Sequence, residues 1–259
     1  KNEIEIDRDT YYNNIKFRRE AYFMLIKISV ENFKSFDKRE ELSMISSSKV
    51  QVNKNHRVKI KQTNLLKNAV VYGANASGKS NLVAAFAFIK EVLMEGLPMG
   101  SVNDFCRNAE ENKTRESVFE LQFTVGDTFY AYGFSAILSR RQITEEWLYE
   151  LMQGGGARQL FIREGNKAPS LGDGVNLTSS AEKNRFEVYA DDFAGHDTQL
   201  FLAEMNRGKK YDANSRLIFF PRVFKWIMNN IIVINPNMGI SNTEAYYNEE
   251  SLENISRLI

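Results

Sequence analysis

Eight consecutive residues carry most of the chemistry: Gly73-Ala74-Asn75-Ala76-Ser77-Gly78-Lys79-Ser80, a complete G-x-x-x-x-G-K-[ST] phosphate-binding loop. Glycines let the backbone wrap phosphate oxygens without a Cβ in the way, and the amides at the start of a following helix point at them. Lys79 is placed to neutralise β- and γ-phosphates, and the Ser80 hydroxyl to ligate magnesium. Chemistry of this kind needs two flanks, a strand that delivers the loop and a helix that begins at its end. The apolar run from Leu65 to Tyr72 predicts the strand, buried in a sheet. After Asn81, the spacing of Leu82, Phe86, Ile89 and Leu93 predicts the helix, stopped near Gly96 with Pro98 just beyond.

The other candidate chemistry is thin. Hydrolysis requires an apolar strand ending in Asp-Glu, for the magnesium shell and for the attacking water. The nearest string is Phe186-Glu187-Val188-Tyr189-Ala190-Asp191-Asp192, whose Glu187 interrupts the apolar run, so it reads as a strand edge and loop. His196 beside Asp197 reads as a loop or helix-cap residue. His56, His196 and Cys106 match no metal-ligand spacing.

The 259 residues suffice for one large domain or two small ones. At 43% hydrophobic and 12% aromatic residues, the composition excludes a disordered chain. The 34 basic and 33 acidic residues leave a net charge of +1, so any polyanion must be met by a local patch. One such patch is Ser43 to Lys67, which holds Lys49, Lys54, Arg57, Lys59, Lys61 and Lys67 without an acidic residue. It reads either as a solvated hairpin edge or as a surface for the nucleic-acid backbone. A single cysteine excludes an internal disulfide framework and fits a reducing cytoplasm. No apolar run reaches the length of a membrane span.

In chain order, residues 1–23 are charged and tyrosine-rich and are expected to form an extension outside a core fold of 24–259. Ile26, Ile28 and Val30 alternate as in a strand. Phe119 to Val125 and Tyr130 to Ala136 predict a hairpin turned at Gly126-Asp127; Ile143–Leu151 and Arg158–Arg163 predict another around Gly154-Gly155-Gly156. Residues 165–185 read as an exposed loop, Thr198–Met205 and Val223–Met228 as helices, and Ile231–Ile234 as a short buried strand closed by Asn235-Pro236. The result is an α/β protein with an antiparallel block over about 117–165.

Two stretches together resemble a known family. Val30-Glu31-Asn32-Phe33-Lys34-Ser35-Phe36, followed by Tyr72 through Leu82 across the phosphate loop, is similar to the ABC/SMC-like ATPases of bacterial defence and of overcoming-lysogenization-defect (OLD) type, often catalogued as AAA-family proteins. The segments Glu145-Glu146-Trp147-Leu148-Tyr149 and Leu160-Phe161-Ile162-Arg163-Glu164 resemble the β-rich insertion of that group. The resemblance, over roughly residues 24–235, implies the N-terminal half of a P-loop ATPase head that binds ATP and Mg2+, dimerises or forms a higher oligomer through its heads, and serves a nuclease or toxin effector, with DNA as a further partner. It also implies that Lys34 and Ser35 approach the nucleotide; as a polar strand end they equally suit a turn. Asn75 sits where the family loop has asparagine, whereas Ala76 replaces a common glycine. No Leu-Ser-Gly-Gly-like signature occurs in the sequence. A nucleotide-binding scaffold without turnover of its own is therefore a second expectation. A kinase-like phosphotransferase is a third, disfavoured by the antiparallel block and by the Asn-Phe-Lys-Ser-Phe strand.

Overall fold

The computed structural model describes residues 23–234 apart from 48, 50 and 51. The expected N-terminal extension and Asn235-Pro236 lie outside the described residues, except Phe23. Strands β1 (Leu25–Glu31), β2 (Glu40–Ser43), β5 (Ser117–Val125), β6 (Thr128–Ile137), β7 (Gln142–Leu151), β8 (Ala157–Glu164) and β9 (Ser170–Leu171) form one seven-stranded sheet, and β3 (Arg57–Ile60) with β4 (Thr63–Leu66) a separate hairpin. The helices are α1 (Lys79–Glu95), α2 (Ser180–Phe193), the single turn α3 (Phe201–Glu204) and α4 (Phe219–Asn230).

The sheet runs β2-β1-β5-β6-β7-β8-β9, and every strand pair described is antiparallel. Both expected hairpins are present. The antiparallel block is continuous with the start of the chain, because β1 pairs with β5 in a register that sets Val30 opposite Phe119 and Ile28 opposite Leu121. Alternation explains the choice of face: Phe119, Leu121 and Phe123 are buried while Val118, Glu120 and Gln122 are half-buried.

Helix α1 follows from its sequence. Gly78, at φ 90°, starts it and Gly96, at φ 83°, ends it. Ile89 and Leu93 are buried as the spacing predicts, together with Ala85, Phe88 and Val92, whereas Leu82 and Phe86 are half-buried. An aromatic ladder then fixes the helix to the sheet: Phe88 lies 5.1 Å from Phe33 and 5.0 Å from Phe119, which lies 5.1 Å from Phe134.

Several expectations are corrected. Only Leu65 and Leu66 of the run before the phosphate loop belong to a strand. From Lys67 to Tyr72 the chain is unpaired with any strand among the described residues, and Val70 and Tyr72 are 78% and 88% exposed. Apolar content there signalled a buried strand, but burial needs a neighbour. Ile231–Ile234 is likewise not a strand: Ile231 packs inside and Ile234 is 82% exposed.

The string from Phe186 to Asp192 is helix, not strand edge and loop, and this helix takes the end of the expected 165–185 loop. Ser179 caps α2 by accepting from the Glu182 amide, and Phe186, Ala190 and Phe193 recur at helical spacing on its buried face. Finally, the helix expected over Thr198–Met205 shrinks to the single turn of α3, whereas the one over Val223–Met228 lengthens to α4.

Behind α3 lies a buried polar group. Glu146 on β7 stands opposite Arg163 on β8, and both are essentially inaccessible. The Glu146 carboxylate accepts from the Tyr132 hydroxyl and from the amides of Phe201 and Leu202 at 2.9, 2.6 and 3.0 Å, so it caps α3 from the sheet. Arg163 donates to the carbonyls of Gly165, His196 and Gln199, and its guanidinium lies 4.9 Å from the Phe193 ring centre. His196, tucked against Phe193 with Nδ1 3.0 Å from its carbonyl, is thus a helix-end residue as expected.

Candidate functional site

The phosphate loop spans from the unpaired segment to the first turn of α1, and its geometry follows from small residues and left-handed backbone. Ala76 has φ 65° and Gly78 φ 90°. Glycine takes such angles freely, but alanine pays a steric cost between its Cβ and the next carbonyl. Room is also limited at the two glycines of the motif: a Cβ on Gly73 would lie 2.9 Å from Ser77 Oγ, and one on Gly78 2.9 Å from Ser35 Oγ.

Lys79 folds back over this turn. Its ammonium donates to the carbonyls of Gly73 and Ala74 at 2.8 and 2.7 Å and to Ser77 Oγ at 3.2 Å. That leaves the charge inside the loop's curve, already oriented. The only backbone contacts within the turn are Ser77 N to Ala74 O at 3.3 Å and the first helical bonds from Asn81 and Leu82 to Gly78 O. Among the described residues the amides of Ala76, Gly78, Lys79 and Ser80 have no protein acceptor. Convergent donors beside a cation at a helix start are what a polyphosphate requires.

Two clefts flank the loop. One, of about 360 Å3, is bordered by Tyr72, Gly73, Ser77, Lys79 and the carboxylate-bearing Glu40 and Glu41. The other, of about 400 Å3, is bordered by Ser80, Val83, Lys34, Glu91 and Asp104. The structure therefore brings Lys34 and Ser80 to one cleft.

The turn after β1 does this. Asn32 (φ 48°) is buried, donates to the carbonyls of Asn112 and Arg115 and accepts from the amide of Cys106; Phe33 anchors the aromatic ladder. Lys34 then adopts φ 51°, with its amide bonded to Asp104 O at 2.7 Å and its ammonium to Asp104 Oδ1 at 2.8 Å. Ser35 faces Gly78 and accepts from Asn81 Nδ2 at 2.8 Å. Lys34 and Ser35 thus belong to a turn wedged against the loop, with Lys34 neutralised by a carboxylate.

Asp104 was not legible in the sequence. It lies in the polar connection after α1, 70 residues from the lysine that it pairs with, and no motif surrounds it. Ala74, Asn75 and Asn81 stand in the loop or its helix start as the motif places them. Asp191 borders a different cavity, with Leu171 and Phe186, and neither it nor Asp192 lines the two clefts beside the loop. Among the described residues no three His, Cys, Asp or Glu side chains cluster as a metal site. Ser80, bordering the second cleft, is the motif residue that could hold a nucleotide-borne magnesium ion.

Residues 69–170 match the family model described as "AAA domain, putative AbiEii toxin, Type IV TA system", a stretch that includes the whole loop, α1 and strands β5 to β8 but not β1 and β2. The matched stretch is under half of the chain. A comparison with curated proteins gave no match. The similarity agrees with the geometry at the coarse level: the loop is of the P-loop NTPase type, in an AAA-like α/β setting suited to ATP. No helix among the described residues is long and apolar enough to cross a membrane.

Proposed function

We propose that this chain binds ATP with Mg2+ at Gly73–Ser80 and, as an ABC/SMC-like ATPase of the OLD type, uses it to control a toxin or nuclease effector in anti-phage defence. The observation that carries the nucleotide reading is Lys79, held by two loop carbonyls beside helix-start amides without protein acceptors. Asn75, Ala76, Gly78 and Lys79 contribute backbone amides to the β- and γ-phosphates, Ser77 closes the turn through its bond to Ala74 O, Ser80 supplies the magnesium ligand, and Asn81 holds Ser35 against Gly78. Lys34, which borders one cleft with Ser80, and Ser35, which faces Gly78, approach the nucleotide from the turn after β1. A homodimer or higher oligomer through the heads and an effector partner rest on the family resemblance, the effector also on the printed family description, and a cytoplasmic setting rests on the single cysteine.

A second reading, a nucleotide-binding scaffold that assembles partners without turnover of its own, is favoured by one observation. Asp191 and Asp192, the nearest approach to a hydrolytic acid pair in the sequence, sit in the last turn of α2 and border neither cleft of the loop.

ATP binding and turnover of the chain, measured beside Lys79→Ala, test both. Magnesium-dependent binding abolished in the variant supports the site, and its turnover separates the readings: Lys79-dependent hydrolysis favours the ATPase, and negligible hydrolysis the scaffold. Equal ATP binding by both proteins would refute the site.

A further inference from the structure

The hairpin β3–β4 carries the basic stretch that reads either as a solvated edge or as a surface for the nucleic-acid backbone. Its register sets Val58 opposite Leu65 and Ile60 opposite Thr63, so these share one face. That face is shut: Ile60 and Leu65 are buried and pack with Ile26 and Phe129. The opposite face takes Arg57, Lys59 and Asn64, with Lys61 at the turn, its ammonium 5.8 Å from the Phe129 ring centre, and Lys54 and Lys67 together beside the open end. Lys54, Lys59, Lys61 and Lys67 are all exposed. None of the four forms an ion pair among the described residues, although basic side chains elsewhere do, as in Lys27–Glu41 at 2.9 Å, Lys34–Asp104 at 2.8 Å and Lys209–Glu204 at 2.6 Å.

Guarding a strand edge against aggregation uses charged side chains, lysine above all, but does not itself require that no acidic residue stand between Ser43 and Lys67. On a chain whose net charge is +1, this concentration is a local field built against the average. The same stretch contains no Phe, Tyr or Trp, so it offers no platform on which unpaired bases could stack. We infer that the outer face of β3–β4 binds the phosphate backbone of a nucleic-acid duplex, without reading its sequence. If four cations each meet a phosphate, the binding constant falls with salt with a log–log slope of about −3.6, or roughly 150-fold between 50 and 200 mM. The inference does not rest on the nucleotide site.

The test is fluorescence anisotropy of a labelled 20-base-pair DNA duplex, titrated with the full chain in the absence of nucleotide at several salt concentrations. Wild type should bind with the stated salt dependence. The double charge reversal Lys59→Glu/Lys61→Glu should weaken binding more than tenfold at 50 mM salt and flatten the slope by about 1.8. Lys183→Glu, a charge reversal on α2, should bind as wild type, and unchanged circular dichroism melts certify that all three proteins fold. The inference is overturned if wild type shows no salt-dependent binding, or if the double reversal binds like wild type. It is equally overturned if single-stranded DNA or polyglutamate binds better than the duplex. Lys79→Ala should retain duplex binding, so loss of ATP binding and loss of DNA binding register as separate failures.

Discussion

Two substitutions two residues apart in the phosphate loop should change stability in opposite directions. Ala76 holds φ 65°, a left-handed conformation costing an L-residue about 1–2 kcal/mol that glycine avoids. Replacing alanine by glycine also loosens the unfolded chain, at about 0.4–1 kcal/mol. The difference predicts that Ala76→Gly stabilises by roughly 0.5–1 kcal/mol. At Gly78, φ 90°, both terms reverse, and the new Cβ would stand 2.9 Å from Ser35 Oγ. Ser35 is the acceptor for Asn81, so it can turn aside only by giving up that bond. Gly78→Ala should therefore destabilise by about 1–2 kcal/mol, the net backbone cost plus a share of a hydrogen bond. Urea unfolding followed by circular dichroism reads both, provided that m is unchanged and the midpoint alone moves. A fall in midpoint for Ala76→Gly would refute the reasoning, since it would mean that Cβ contacts at residue 76 outweigh its backbone strain.

Three further outcomes follow from the buried polar group and the core. Glu146→Ala leaves the buried Tyr132 hydroxyl and the Phe201 and Leu202 amides without their acceptor and uncaps α3, and should lower stability by about 2–4 kcal/mol in the same urea assay. Burial raises the Glu146 carboxyl above its ordinary value of 4.5, against the opposing pull of the Leu202 amide and Arg163. A raised folded value gives stability that is complete below pH 4.5 and is lost as the pH climbs through the raised value. Glu146→Gln cannot ionise, so wild type should lose stability relative to this variant between acid and neutral pH; the opposite trend in paired melts would show an ionised Glu146 held by Arg163. Trp226 stacks 4.0 Å from Phe123 with a buried indole N–H that has no acceptor among the described residues. Trp226→Phe removes that orphan donor along with some packing, so thermal melts should show a loss of under about 1.5 kcal/mol, below the 3–5 expected for a truncation to alanine.

What could be foreseen in the sequence was what depends on neighbours in the chain. The loop, the limits of α1 and the hairpins of 117–164 all rest on local signals: two glycines and a lysine, a 3.6-residue repeat closed by Gly96, and period-two alternation across short turns. Where the sequence misled, the deciding partner was remote. Val70 to Tyr72 and Ile232 to Ile234 have strand-like composition, yet pairing depends on a second strand that composition cannot supply. Phe186 to Asp192 alternates weakly enough to pass for an edge; the cap at Ser179, seven residues upstream, was the overlooked helix signal. Lys34 shows the limit at the site itself, for its position in the family-like motif was visible but its pairing with Asp104 was not.

The pairing of β1 with β5 has a kinetic meaning. Val30 and Phe119 are about 90 residues apart, and at a synthesis rate of roughly 5–20 residues per second β1 leaves the ribosome some 5–20 s before its inner neighbour exists. Through that interval β1 has only the short β2 as a strand partner in the sheet, whose Glu40 and Glu41 keep charge beside an otherwise sticky edge. The phosphate loop is born inside this open span, so zipping of the sheet closes a ring around it, and refolding of the intact chain must bear the same long-range closure.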